Sequence, residues 1–462
     1  MPRGARKRLL FRGQRGRARR RRRWRRGGLP ARWPLRGRRW RHGRRPVVRG
    51  GLAARLSYPT RRALRSRAGL DRLLQARWAA GLGRLPGMPS RSPYVYYVGA
   101  FYTAGGYPYE ARTVLKHLLD AGFTVRVLPP PPRGRWWKGL EIDEGFGRLF
   151  ELLRLPVRGR RPRLTLVHLT PEAFKAARPG TVRIGRTMFE ADRLPPHWVA
   201  ACNRMHAVWV PSHFNYHTFA ASGVDTRRLR VLPVGVDTQL FHPGAAPLPV
   251  PGARGFRFLS VFSWIRRKGW PLLIEAYARE FRPEEDVTLV LKTSPGAAAV
   301  IREFLRNLQL PWEGVAPIVV DERPLSAVEL AGLYTACHAF VLPTRGEGWG
   351  LPLLEAMAAG LPVIATRWSA PTDFLHDGIA YLIDVERLEP APPDVELGHL
   401  YGGLRWAKPS LAHLQALMRH VFTRQAEARA KGEQARREAV ARWDTRVTGP
   451  AFARELAEWV RR

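Results

Sequence analysis

Hydrophobic and polar positions along this chain switch repeatedly between two periods. From residue 94 onward, short apolar runs alternate with longer stretches in which apolar residues recur every three or four positions. A short run bounded by turn residues reads as a buried strand, and the longer period reads as a helix. The first strand covers 94–100. A Gly105-Gly106 pair follows, then a helix over 110–121 with Val114, Leu115, Leu118 and Leu119 on one face and Gly122 as its stop. Strands follow at 123–128, 164–168, 181–187, 207–210 and 230–233. Helices fall at 196–206 and 213–222, the second capped by Ser212 and ended by Gly223. Residues 244–255 hold Pro, Gly and Ala without a period and read as a connection between domains. The alternation then restarts. Strands are expected at 256–262, 287–292, 318–320, 339–342, 363–366 and 381–383. Helices are expected at 271–280, 300–308, 326–336, 352–359, 411–422, 424–442 and 452–460.

Two runs of strand and helix alternation argue for an α/β protein of two doubly wound parallel-sheet domains with a cleft between them. The boundaries expected are 91–245 for the first domain, 246–256 for the linker and 257–440 for the second. Residues 441–462 form a C-terminal helix able to pack back on the first domain.

Charge changes the picture only at the start. The net charge is +42, yet residues 1–90 hold 30 Lys/Arg and one acid, Asp71, while the other 372 residues hold 49 basic and 36 acidic residues. The body is therefore of ordinary composition, and the extreme basicity belongs to the leader. Its first 50 residues carry 22 Lys/Arg, no acid and three isolated tryptophans, too little apolar surface to order a backbone. Such a tail suits phosphates, and an anionic membrane surface is the partner considered for it. Nucleic acid is not expected to be the main one. Residues 60–86 carry a weak helical pattern, and Met88 is an alternative start just before the first strand. No apolar run is long enough to span a bilayer, and the basic start lacks an apolar segment after it, so a cytoplasmic protein is expected, with peripheral membrane contact as an option. Cys202 and Cys337 are too few and too far apart for a disulfide framework.

The candidate chemistry gathers in 342–366. Here a glycine-rich loop after a strand carries Glu347 among Gly346, Gly348 and Gly350, and the helix that follows carries Glu355 in its first turns. Ligands of open α/β sheets sit beyond the carboxyl ends of strands, which is where Glu347 falls. No cluster of His, Asp and Glu at metal-ligand spacing is seen, nor an Asp-x-Asp pair.

The segment from Glu347 through Pro352 to Glu355 resembles the E-x7-E signature of retaining glycosyltransferases of family 4, which have the GT-B fold. The likeness extends to Ile184–Glu190, Leu194-Pro195, Trp198, Val208–Ser212, Gly235-Val236-Asp237 and Phe241, to Arg267-Lys268-Gly269, and to Trp406–Pro409 with Leu414 and Met418-Arg419, which are similar to the tail of a bacterial subset. The resemblance implies two Rossmann-like domains facing across a cleft. It implies transfer of a sugar from a nucleotide-sugar donor to a saccharide or lipid-linked glycan, with retention at the anomeric carbon and no metal or other cofactor. Glu347 would hold donor-sugar hydroxyls and Glu355 the ribose. Lys268, helped by Arg266 or Arg267, would neutralise the diphosphate. Gly348, Gly350 and the N–H groups of Leu351 and Leu353 would form an anion site at the helix start. Gly105 and Gly106 would face the phosphates from the other domain, and His168 would lie near the donor. The family's Arg, five or six residues before the Lys, is here Ser263 or Phe262. Two other readings are a different enzyme on this architecture, such as a phosphorylase or nucleotide-sugar epimerase, and a non-catalytic binder tethered by the basic leader.

Overall fold

The apolar runs pair as parallel ladders in two separate sheets. The computed structural model describes residues 93–101, 105–128, 161–392, 396 and 398–461. The basic leader, Met88 and the helix expected over 60–86 lie outside these residues. The first sheet takes β1 (Tyr94–Gly99), β2 (Thr124–Leu128), β3 (Leu164–His168), β4 (Val182–Arg186), β5 (Ala207–Val210) and β6 (Leu229–Val231) in the order β2-β1-β3-β4-β5-β6. The second takes β7 (Phe256–Val261), β8 (Val287–Lys292), β9 (Ile318–Asp321), β10 (Ala339–Leu342), β11 (Val363–Thr366) and β12 (Tyr381–Ile383) in the order β12-β11-β10-β7-β8-β9. Every pairing in both sheets is parallel. All residues of β10 and β11 are buried, as in a strand covered on both faces.

This order puts a reversal of winding between β1 and β3 in the first sheet and between β7 and β10 in the second. Loops leaving the carboxyl ends of two such strands diverge and open a crevice. The loop after β10 carries Glu347, and the loop after β7 carries Lys268.

Several helices extend beyond the periodic pattern. Helix α1 (Gly106–Asp120) starts four residues early because Pro108 is tolerated in a first turn, where no N–H partner is needed. The last helix, Thr445–Arg461, contains Pro450, which hid its opening turns from the pattern. It packs against α1, with Gly449 pressed onto the His117 ring. Phe452 meets Trp209 at 5.9 Å between ring centroids, and Arg163 Nη1 donates to the Val460 carbonyl at 3.3 Å. Just before this helix the chain pairs with the end of the first domain: Val236 N donates to Trp443 O at 2.8 Å and Thr445 N to Val236 O at 3.0 Å.

One feature was absent from the pattern. After β12 the chain makes an antiparallel pair, β13 (Val385–Pro390) with β14 (Arg405–Pro409), and a short helix Gly398–Tyr401 lies between them. Trp406, Tyr401 and Leu404 of this insert bury themselves in an apolar cluster of the first domain with Phe189 and Trp198.

Candidate functional site

The turn that carries Lys268 is held against the loop that carries Glu347 by a close backbone approach. Arg266–Lys268 forms a single 3₁₀ turn ended by Gly269 at φ 73°. A Cβ on Gly269 would lie 1.9 Å from the Pro343 carbonyl oxygen, so only glycine fits on both counts. Arg345 N donates to the Arg267 carbonyl at 2.8 Å, and Thr344 Oγ1 lies 3.2 Å from the same carbonyl. The two loops are thereby one unit.

Within it, Lys268 Nζ donates to both oxygens of Glu347, at 2.7 and 2.8 Å. Thr344 Oγ1 donates to the same carboxylate at 3.0 Å, and an Arg267 guanidinium nitrogen lies 3.8 Å away. Burial alone would raise the Glu347 carboxyl, but Lys268, Arg267 and Thr344 together hold it below the usual carboxylate range. Burial pushes the Lys268 ammonium down, and the neighbouring Arg267 charge adds to that against the pull of Glu347. Glu347 N donates to Ser369 Oγ at 2.9 Å. Ser369 has φ 65°, one of two non-glycine residues in that region among those described, so its backbone is strained at the point where it holds the Glu347 main chain.

Glu355 lies eight residues after Glu347, in the helix Leu351–Ala358, whose N-cap is Gly350. It is 6% exposed, and Tyr334 Oη donates to it at 2.7 Å. Burial raises its carboxyl to about 7, since a single hydroxyl offsets little of the desolvation. Tyr109, in the first turn of α1, is near enough that burial and the charges of Glu355 and Asp237 push its phenol up. The start of α1, with Gly105 at its N-cap, therefore approaches Glu355 from the other domain.

Expectations change at Leu353, Arg267 and His168. Leu353 N–H donates to the Gly350 carbonyl at 3.0 Å, so it is already used within the turn. Arg267 is not a spare cation: it is buried, donates to the Gly346 carbonyl and pairs with Glu190 at 3.3 Å. Arg266 is exposed, and its N–H donates to Glu396 at 3.0 Å. His168 does not face the cleft. Its ring is buried, stacked on Tyr97 and overlaid by Tyr107, with Nδ1 2.8 Å from Tyr97 Oη and Nε2 3.5 Å from Glu110. Burial pushes the imidazole down, and the ion pair of Glu110 with Arg186 beside it completes a buried charge cluster. Gly348 packs against Met188, where a Cβ would meet Met188 Cγ at 2.6 Å.

The pattern gave no sign of four other contributors. Thr344 and Ser369 hold Glu347, and Trp349 Nε1 donates to the Val234 carbonyl at 2.9 Å, tying the loop to the end of the first domain. Tyr334 is the partner of Glu355. A single signal was available, the repeated glycines that bracket Glu347 and Trp349. Among the described residues no three His, Cys, Asp or Glu side chains converge to hold a metal ion, and no helix is long and apolar enough to cross a membrane.

Residues 254–391, which hold Lys268, Glu347 and Glu355, match the model of the family described as glycosyl transferases group 1. A D-inositol 3-phosphate glycosyltransferase of Arthrobacter sp. (strain FB24) is 32% identical over 174 residues, covering 36% of this chain and 38% of that protein. An MMP alpha-(1->4)-mannosyltransferase of Mycolicibacterium hassiacum is 34% identical over 148 residues, covering 32% and 33%. The chain thus spans less than two fifths of these relatives' length. Among solved structures, the sucrose-phosphate synthase of Thermosynechococcus elongatus superposes with a TM-score of 0.58 at 17% identity, over 80% of this chain and 98% of that one. Anabaena Alr3699/HepE, solved with UDP-glucose, superposes at 0.56 and 16% identity over 79% and 99%. These likenesses establish the fold, two Rossmann-like domains in the GT-B arrangement.

Proposed function

We propose that this GT-B protein is a glycosyltransferase that takes a sugar from a nucleoside diphosphate sugar and passes it to a saccharide or lipid-linked glycan. The observation that carries the reading is the Glu347–Lys268 pair, 2.7 Å apart at the winding reversal of the second sheet and opposite the start of α1. Breaking the bond between C1 and a diphosphate needs a fixed cation for the leaving charge and a fixed acceptor for the sugar hydroxyls. Lys268 and Glu347 are those two groups, and they pair with each other in this structure. Glu355 is the group for the ribose, since a carboxylate accepts from two vicinal hydroxyls. The Leu351 N–H and the glycine-flanked loop offer the remaining donors to phosphate. With a lysine compensating the diphosphate, no metal is required, and retention at C1 follows the family resemblance. Closure of the first domain over the donor excludes water.

The test is a mass-spectrometric panel of nucleotide sugars with glycan and lipid-linked acceptors. At least one pair gives a new glycoside with the wild-type protein. Glu347→Ala and Lys268→Ala abolish it while keeping the wild-type circular dichroism. Full activity in both variants would overturn the assignment.

A further inference from the structure

Glu190 has no part in the chemistry above, yet it lies where the two domains touch the donor loop. It follows β4 in the first domain. Its Oε1 pairs with Arg267 of the second domain at 3.3 Å, and its Oε2 accepts from Tyr401 Oη at 3.0 Å. Tyr401 belongs to the insert after β12, whose backbone is bound to the same segment: Asp192 N donates to Arg405 O at 3.0 Å and Arg405 N to Asp192 Oδ1 at 2.7 Å. On the other side, Arg267 donates to the carbonyl of Gly346, the residue before Glu347. The backbone is equally close, since a Cβ on Gly346 would lie 2.2 Å from the Glu190 carbonyl oxygen.

We propose that Glu190 is a positioning residue that sets the Glu347 loop through Arg267 and Tyr401, so that the loop is correctly placed only while the two domains are together. The physical reason is a competition for Arg267. Its guanidinium lies 3.3 Å from Glu190 and 3.8 Å from Glu347. A buried cation that loses one carboxylate turns to the other. Without Glu190, Arg267 releases the Gly346 carbonyl and competes with Lys268 for Glu347. Separating the domains has the same consequence, because it parts Glu190 from Arg267. The acid thus reports domain contact to the sugar-binding carboxylate.

The inference rests on the transferase reading for its kinetic arm alone. Glu190→Gln keeps an acceptor for Tyr401 but removes the charge, Glu190→Ala removes both, and Tyr401→Phe removes one of the two restraints. Each variant is examined by steady-state kinetics, by nucleoside diphosphate binding and by amide hydrogen exchange in 344–350. The expected order of kcat is wild type, Tyr401→Phe, Glu190→Gln, Glu190→Ala. The last falls by about 100-fold, the scale for a misplaced catalytic group. The nucleoside diphosphate Kd, set by Lys268, Glu355 and the helix start, stays within about threefold, since none of these groups is replaced and Lys268 keeps its charge. Exchange rises in 344–350 in the same order while the sheets of both domains keep their protection. A merely structural role would lower stability without separating kcat from nucleotide affinity. If Glu190→Gln and Tyr401→Phe both keep wild-type kcat and wild-type exchange in 344–350, the proposal is overturned. If the wild-type protein transfers no sugar, the transferase reading fails instead, and the exchange arm still decides this one.

Discussion

Replacing Glu355 by glutamine is expected to stabilise the resting protein at alkaline pH while weakening its hold on a nucleotide. Among the described residues the buried carboxyl has one hydrogen-bond donor, Tyr334 Oη, and burial raises it from the ordinary 4.5 to about 7. The folded state therefore disfavours the charged form. Below about pH 4.5 the group is protonated whether folded or not, and it costs nothing. Between pH 4.5 and 7 the unfolded chain ionises first, and stability is lost at about 1.4 kcal/mol per pH unit, reaching a total of roughly 3 kcal/mol above pH 7. Glutamine never ionises and still accepts from Tyr334. Urea unfolding at pH 8 is expected to show Glu355→Gln more stable than wild type by up to about 3 kcal/mol, and the gain is expected to vanish by pH 4.5. Ligand binding reverses the preference. With the proposed ribose role, two hydroxyls donating to the carboxylate favour its ionised form, and wild type is expected to release up to about half a proton on binding a nucleoside diphosphate near pH 7. Titration calorimetry in buffers of different ionisation enthalpy reads that proton. Equal stability of the two proteins at both pH values, or binding without proton release, refutes the reasoning.

Removing Lys268 alone leaves Glu347 buried without its main partner. Lys268→Met is expected to cost about 3 kcal/mol at pH 8 and less at pH 5, where Glu347 can take up a proton, and adding Glu347→Gln restores most of the loss. Thermal unfolding of the two variants across pH checks this. Gly346→Ala forces a Cβ against the Glu190 backbone, so small-angle scattering should show the domains moved apart and transfer should fall by an order of magnitude or more, whereas Gly348→Ala meets the flexible Met188 side chain and is milder. A chelator in large excess leaves transfer unchanged if Lys268 alone offsets the diphosphate charge, and loss of activity rescued by magnesium contradicts that.

The strands and helices were legible because each buries one face or both, and the period of apolar residues reports that burial directly. The insert at 385–409 was not. β13 and β14 carry charged residues and prolines with little alternation, and what holds them is an apolar cluster of the other domain, which no local window contains. The site was legible as a list and not as an arrangement. Glu347 and Lys268 stood out by glycine context and resemblance, yet their pairing joins residues 79 apart. Their geometry rests on Thr344 and on the strained Ser369, and hydroxyl residues carry no distinctive pattern. His168 looked like a cleft residue because it ends a strand. Its burial is decided by Tyr97 and Glu110, one on a neighbouring strand and the other on the helix above, so the sequence around His168 could not reveal it. Arg267 looked like a free cation for the same reason, its partner Glu190 being in the other domain.

The Glu347–Lys268 pair is proposed as the heart of a nucleotide-sugar site. The direct measurement is thermal unfolding of the wild-type protein and of the charge-balanced double variant Lys268→Met/Glu347→Gln against a panel of nucleotide sugars. A ligand at one hundred times its Kd stabilises by about 2.7 kcal/mol. At least one nucleotide sugar is expected to produce such a shift in wild type and none in the double variant. A wild-type protein that responds to no member of the panel, or a double variant that responds equally, contradicts the proposal.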